Sequence, residues 1–341
     1  MAIQTIADLH DHLQWALELE HSTIPPYLCA LYSLHDRANA GAARVIKGVV
    51  MEEMLHLTLI ANILNAVGGK PVLDKPDFIP AYPTYLPHSA DTFKVGLLPF
   101  CPEAVDTFLK IERPARPDAP PEANRYHTIG QFYKAIDEGL SYLADPRRAE
   151  KLFVGTLDWQ VGPQQWYYGG GGDAVVVTDL ESARRALAEV MVQGEGLDHG
   201  IFDQDKAHGE DELAHYFRFE EIRDGRRFQE TDTPASGPTG PEFPVDWAAV
   251  HPMRPNPKAQ QYVDRPAIHH QMVEFNRGYT TLLRILHQAF NGQPGALFNA
   301  VPAMYSLKYR AQALMKIPSG DRDGSTVGPS FEYAADRAPN P

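Results

Sequence analysis

The sequence predicts an all-α protein built on a core of four long helices. Apolar residues recur at steps of three and four along four separate segments, 6–36, 41–67, 179–197 and 209–223, and this is the period of one helix face. The later pair of segments repeats a feature of the earlier pair, because each pair contains a Glu-x-x-His on its apolar face. Two similar helical pairs in one chain predict a bundle.

The first segment, 6–36, begins after Thr5, which is a suitable N-terminal cap. Glu20 falls within its apolar stripe, where a hydrophobic residue is expected. We expect the Pro25-Pro26 pair to bend the helix just after Glu20, because proline removes a backbone donor and clashes with the preceding turn.

The second segment, 41–67, ends at Gly68-Gly69, as helices often do. Two polar residues interrupt its apolar stripe, which runs through Ile46, Val49, Glu53, His56, Ile60, Ile63 and Val67. A buried carboxylate or imidazole without a partner costs several kcal/mol, roughly, so Glu53 and His56 need one.

The rest of the chain is predicted to surround this core. The segment 70–126 contains eleven prolines and is predicted to be a long crossover or lid, the first part of an insertion that extends to residue 178. A further helix is expected at 128–143. Eight prolines between 232 and 266 mark a linker, and amphipathic helices are predicted at 268–291 and 296–317. We therefore expect a bundle domain at 1–230 and a C-terminal helical extension at 231–341.

Composition excludes several classes of protein. The formal net charge of −13 makes a nucleic-acid partner unexpected. Two cysteines, Cys29 and Cys101, are too few for a disulfide framework or a cysteine-rich zinc site. We expect no signal peptide and no membrane-spanning helix, and we expect the cytoplasm as the compartment.

Six core-facing residues form a candidate metal site. One glutamate comes from each of two helices and one Glu-x-x-His from each of the other two: Glu20, Glu53, His56, Glu195, Glu212 and His215. These buried groups would repel one another unless cations lay between them. They match the ligand set of di-iron and di-manganese bundles, which predicts two divalent metal ions. Iron is the expected metal, with manganese or zinc as alternatives.

Other interpretations stay open at this point. Each Glu-x-x-His can instead be a buried, hydrogen-bonded structural pair. Glu138 is an alternative to Glu195 if 128–143 is the third bundle helix, and His208 can join the site. Glu18 and His21 form a third Glu-x-x-His beside the first stripe. Tyr27 can serve proton or redox steps, although a core aromatic is the simpler reading.

Several motifs resemble a known family: LELEHSTIPPYLCALYSL, MEEMLHL, IGQFYKAI, MVQGEG, ELAHYFRFEEI, FNRGYTTLLRILHQAFNG and GPSFEY. Together they resemble the ferritin-like domain of the imino-acid dimer synthases of violacein and rebeccamycin biosynthesis. The resemblance implies a ferritin-like four-helix bundle and supports the same six ligands.

Three functions are compatible with this reading of the sequence. The first is an oxidase or oxygenase that uses two metal ions and O₂ on a small organic substrate. The second is an imino-acid coupling enzyme, and the third is a metal-binding or iron-handling protein without substrate chemistry.

Overall fold

The computed structural model describes residues 3–35, 37–166, 171–196, 200–207 and 210–335, with backbone alone for 204–207 and 210–211. The described helices are α1 (Ile6–Ser33), α2 (Ala40–Ala66), α3 (Pro102–Ile111), α4 (Ile129–Leu143), α5 (Leu180–Glu195), α6 (His215–Asp224), α7 (Pro266–Phe290) and α8 (Leu297–Leu314). Strands β1 (Phe202–Ala207) and β2 (Glu210–Leu213) form an antiparallel pair. The prediction of an all-α class is confirmed, with this small hairpin as an addition.

Helix α1 begins at a capping box and continues through both of its prolines. The Thr5 hydroxyl accepts from the amide of Asp8, whose carboxylate accepts from the amide of Thr5. Pro26 cannot donate to the carbonyl of Ser22, and the Tyr82 hydroxyl donates to that oxygen instead, at 2.7 Å. The proline pair therefore does not end the helix, and the bend expected there stays a prediction.

Helix α2 lies at the centre of the fold. It pairs with α1 along its length and also contacts α5 and α6. By length and composition it is apolar enough to cross a membrane, but 89% of that stretch is buried inside the protein. This extent of burial is typical of a central core helix.

The proline-rich insertion contains a helix that the sequence reading missed. Helix α3 begins with Pro102 in its first turn, a favoured position for proline. It packs against α6, while α4 contacts both α1 and α5. The insertion thus supplies two helices to the walls of the bundle, and α3 brings residue 112 to its centre.

The helix predicted at 209–223 begins later than expected, at His215. The residues before it pair instead with β1, with Leu213 opposite Phe202 and Glu210 opposite Ala207. Cross-strand hydrogen bonds satisfy backbone groups that a first helical turn would otherwise have satisfied. Glu212 is therefore on a strand, and its three-residue spacing from His215 does not place both on one helix face.

The C-terminal helices pack on the bundle. Helix α7 packs against α8 and contacts α2, and α8 contacts α1. The preceding linker is fixed to the start of α2 by reciprocal hydrogen bonds between Asn39 and the backbone of Asp246, at 2.8 and 2.9 Å. The division of the chain at residue 230 stays a prediction.

Candidate metal centre

Five acidic and imidazole side chains meet in the core between α1, α2, α6 and the end of α3. They form two groups that share one member: Glu20, Glu53 and His56 in the first, and Glu53, Glu112 and His215 in the second. All five are at most 6% exposed. Within each group the candidate ligand atoms lie within 4.8 Å of one another.

Glu53 lies between the two histidines. Its Oε1 is 3.7 Å from Nδ1 of His56, one turn along α2, and 3.1 Å from Nδ1 of His215. Nδ1 of His56 also lies 3.2 Å from Oε2 of Glu20. Nδ1 of His215 lies 3.4 Å from Oε2 of Glu112. The two imidazole rings face each other with centroids 5.4 Å apart, and both Nδ1 atoms lie within 3.7 Å of the shared carboxylate.

The other ring nitrogen of each histidine has an acceptor outside the cluster. His56 Nε2 is 2.8 Å from Oε1 of Gln193, and His215 Nε2 is 2.8 Å from Oε2 of Glu52. An acceptor at Nε2 favours the tautomer that leaves Nδ1 free to bind a cation. Glu52 is held in turn by Arg218, whose Nη1 donates to it at 2.7 Å.

Three hydroxyl groups orient the carboxylates. Tyr133 donates to Oε1 of Glu20, and Tyr27 donates to Oε1 of Glu112. The Thr23 hydroxyl lies 2.7 Å from Oε2 of Glu53. In Glu20 and Glu112, the oxygen that faces a histidine is therefore distinct from the oxygen that accepts a tyrosine hydroxyl. This arrangement fixes each carboxylate while leaving one oxygen directed at the centre.

The electrostatics of the metal-free cluster favour protons. Burial, together with the negative charge of Glu112, raises the pKa of Glu53 above its usual value. Burial alone would lower the pKa of His215, but the carboxylates of Glu112, Glu52 and Glu53 raise it well above the ordinary range. Protons thus supply part of the positive charge that these buried carboxylates need.

The donor set fits divalent cations. Three buried carboxylates and two imidazoles are hard and borderline ligands of the kind that bind iron, manganese or zinc. Nδ1 of His215 is buried and makes no well-aligned hydrogen bond to any described residue, although it lies among carboxylate oxygens. A cation there would bind that nitrogen and offset the carboxylate charge together.

Comparison with known proteins agrees with this geometry. The family model described as ferritin-like matches residues 13–224. The chain belongs to the ferritin-like family. Across 335 residues it is 28% identical to dichlorochromopyrrolate synthase of Lentzea aerocolonigenes, covering 87% of this chain and 30% of that protein. It therefore spans less than a third of that relative's length.

A solved structure shows the same fold. The crystal structure of a ferritin-like protein from Caulobacter vibrioides superposes with a TM-score of 0.61 and 22% sequence identity, covering 97% of this chain and 99% of that one. The predicted ferritin-like bundle is confirmed. At this identity the match concerns the fold alone.

Four of the six predicted ligands come together in this ferritin-like chain, namely Glu20, Glu53, His56 and His215. The structure does not place Glu195 in the cluster, because its Oε1 accepts from the backbone amides of Ala115 and Gly130 at 3.1 and 3.0 Å. Glu195 is the last residue of α5, so the helical periodicity that predicted a core-facing position ends with it.

Glu212 also lies outside the two groups among described residues. Its Oε1 is 3.1 Å from Nη1 of Arg218, and its side chain is 29% exposed. The reason is the strand that replaces the predicted first turn of the helix. A carboxylate on that strand projects toward the arginine beside the cluster and not into it.

Glu112 was missed by the sequence reading. It follows Val105 and Phe108 at steps of three and four, so the pattern that identifies a core-facing glutamate was present. Eleven prolines in the surrounding segment obscured this short helical stripe. A local search for apolar periodicity within the insertion would have found it.

The remaining candidates have other roles. Glu138 is exposed on α4, and Glu18 pairs with His88 at 3.2 Å near the surface. His21 is buried against Phe78 and contacts the Tyr279 hydroxyl. His208 lies outside the described residues. The structure therefore gives none of these described side chains a position in the cluster.

A small cavity adjoins the cluster on the side of Glu112. Its volume is about 20 Å³, and Tyr133, Gly130, Gly194 and Glu195 are among the residues that line it. That volume holds about one water molecule. Both Glu112 and Glu195 line this cavity.

Proposed function

We propose that this ferritin-like chain binds two divalent metal ions, iron in the first instance, and acts as an oxidoreductase on a small organic substrate with O₂. The observation that carries the proposal is the pair of buried groups that share Glu53. Two ions that share a carboxylate are the arrangement found in di-metal carboxylate bundles. A pair of iron ions supplies redox chemistry that no protein side chain in the cluster supplies.

The chain's own residues hold, orient and shield the centre. Glu20, Glu53 and His56 would hold one ion, and Glu53, Glu112 and His215 would hold the other. Burial excludes bulk water from all five groups, which strengthens the electrostatic interactions inside. The tyrosine hydroxyls on Glu20 and Glu112 are placed to give or take protons at the carboxylate oxygens that they contact.

A second candidate function is coupling of two imino-acid molecules derived from an aromatic amino acid. The 28% identity to dichlorochromopyrrolate synthase over 87% of this chain favours it. This chain matches 30% of that enzyme. The two candidates share the metal centre and differ in substrate.

The decisive experiment is metal analysis of protein purified without chelator, followed by O₂ consumption after anaerobic reduction. Replacement of His56 or His215 by alanine removes one ligand from one of the two groups and is expected to lower bound metal, with the double variant binding none. Glu138→Gln is the matched control, since that carboxylate is exposed and away from the cluster, and it is expected to keep the full content.

Two results would contradict the proposal. Variants of His56 and His215 with the metal content of the unmodified chain would identify the buried pairs as structural. A metal-loaded, reduced chain that consumes no O₂ with or without small aromatic amino-acid derivatives would exclude the oxidoreductase assignment. Consumption that depends on an imino-acid precursor, with a coupled product, would favour the second candidate.

A further inference from the structure

A line of aromatic rings connects the metal centre with the surface. It begins at Tyr133, whose hydroxyl contacts Glu20, and continues to Phe132 with ring centroids 5.9 Å apart. The ring of His12 follows at 6.2 Å from Phe132, and Trp15 lies 4.5 Å from His12. These spacings are those of aromatic rings in direct contact.

The line ends at the surface. Trp15 is half-buried, and it stacks on His88 with centroids 4.0 Å apart and an interplanar angle of 16°. The side chain of His88 is 35% exposed. Each end of the line therefore carries a residue that is readily oxidised by one electron, tyrosine beside the centre and tryptophan near solvent.

For the other tyrosine at the centre, the ring contacts of the described residues give no such connection. Tyr27 contacts Glu112, and its ring packs against Phe108 and Phe219 at 4.6 and 5.3 Å. Both phenylalanines are buried, and the described ring contacts do not continue from them to a tryptophan. The two tyrosines thus make equivalent contacts with the cluster, but the ring contacts described here connect Tyr133, and not Tyr27, to a tryptophan near solvent.

We propose that Tyr133 and Trp15 carry single electrons between the surface at His88 and the metal centre. This inference rests on the proposed function, because it requires a redox-active centre at Glu20. Phe132 and His12 fill the space between the two redox residues and shorten the distance that the electron tunnels outside aromatic rings.

The electron and proton balance is complete. Once O₂ has oxidised the centre to a potential above that of tyrosine, the centre would take one electron from Tyr133, and the phenolic proton would move to Oε1 of Glu20. Trp15 then gives one electron to the tyrosyl radical, which takes the proton back from Glu20. A one-electron donor of the ascorbate class restores Trp15 at the surface. The net change is one electron transferred from the donor to the centre.

Oε1 of Glu20 is suited to this proton transfer. It accepts the Tyr133 hydroxyl, while Oε2 of the same carboxylate faces His56 at 3.2 Å. The proton therefore moves along an existing hydrogen bond. Tyr126, which also lies against Phe132 at 4.9 Å, donates to the carbonyl of Pro87, and a peptide carbonyl is too weak a base to hold a phenolic proton.

The first test uses the metal-free chain, so its result does not depend on metal binding. A flash-generated ruthenium(III) tris(bipyridine) oxidant removes electrons at the surface, and electron paramagnetic resonance records tyrosyl radicals. The unmodified chain is expected to form a long-lived radical at Tyr133, because burial protects it from solvent. Trp15→Phe and Tyr133→Phe are each expected to lose that long-lived signal, with folding checked by circular dichroism.

Two matched controls complete this test. Tyr27→Phe removes the equivalent hydroxyl from Glu112. Trp159→Phe removes a half-buried tryptophan that lies under Lys70, beside Asn65 near the C-terminal end of α2, and outside the line. Both are expected to retain the signal. The proposal is overturned if the Trp15 and Tyr133 variants retain it, or if the controls lose it equally.

A second test uses the metal-loaded chain. The reduced centre is mixed with O₂ and excess ascorbate, ascorbate oxidation is followed by absorbance, and the Trp15 and Tyr133 variants are expected to react more slowly per bound metal ion. Equal rates in all variants would overturn the proposal. If the chain binds no metal, the proposed function is wrong. The photochemical test would still show whether the two residues exchange electrons.

Discussion

Glu52→Gln tests a residue that orients a candidate metal ligand without being a ligand itself. Glu52 is buried and binds two partners, Nε2 of His215 at 2.8 Å and Nη1 of Arg218 at 2.7 Å. Glutamine keeps the shape but has one acceptor and one donor. If its oxygen accepts from Arg218, its amide group faces His215 as a donor, and the imidazole must carry its proton on Nδ1. That tautomer cannot bind a cation at Nδ1.

The change is expected to lower two quantities, the metal affinity and the free energy of unfolding. Loss of a partner that orients a metal-binding histidine costs about 10–100-fold in metal affinity. Burial opposes ionisation of Glu52, but Arg218 and His215 lower its pKa to about 2 from the usual 4.5. That difference corresponds to about 3 kcal/mol of stability at neutral pH. This stability value is an upper limit, because Arg218 keeps a second acidic partner, Asp203, at 2.6 Å.

The sign of the pH dependence is fixed by the direction of the shift. Because the pKa of Glu52 is lower in the folded chain, its contribution is complete above about pH 4.5 and is lost as the pH falls toward about 2. Urea unfolding of the metal-free proteins should therefore show a deficit for Glu52→Gln at neutral pH that shrinks in acid.

Glu221→Gln is the matched control for this experiment. Glu221 is also buried and pairs with an arginine, Arg227, at 2.6 Å, but no histidine contact with it is described. This control should keep its metal affinity. Equal metal affinity for Glu52→Gln and the unmodified chain, measured by competition with a chromophoric chelator, would refute the tautomer argument.

Three further predictions concern the cluster and the packing around it. Glu112→Gln should reduce bound metal more than Glu195→Gln, measured by elemental analysis, because the first carboxylate faces His215 and the second is held by backbone amides. Metal loading at neutral pH should release protons into a weakly buffered solution containing an indicator dye, since the raised pKa of His215 keeps it protonated in the metal-free chain. Gly155→Ala should destabilise the fold by about 1–3 kcal/mol in urea unfolding, because a Cβ there would lie 1.7 Å from a backbone oxygen, whereas Gly295→Ala has open space and should change little.

The helical faces were predictable because they depend on local periodicity alone. Glu20, Glu53 and His56 occupy positions where an apolar stripe is interrupted by groups that cannot be buried alone. Such an interruption is visible in one segment of sequence. It predicts both that the side chain faces the core and that a partner must meet it there.

The errors arose where tertiary structure overrides the local pattern, or where a contact depends on the path of a long insertion. The acidic stretch before His215 pairs with a neighbouring strand, so Glu212 leaves the helix face that its spacing indicated. Glu112 is brought to the centre by the packing of α3 on α6 across a proline-rich insertion. No spacing between these residues and α2 in the sequence encodes that contact, because it depends on the path of the intervening chain.

Two kinds of positive charge lie around the cluster, a permanent cation on its outer side and protons on its inner side. On the outer side, Arg218 is a permanent cation that holds Glu52 and Asp203. On the inner side, the positive charge in the metal-free chain is supplied by protons on imidazole, which exchange readily. A fixed cation outside stabilises the bundle without metal, while exchangeable protons inside leave the inner carboxylates available. Glu53 belongs to both groups, so each group offers a cation two carboxylates and one imidazole.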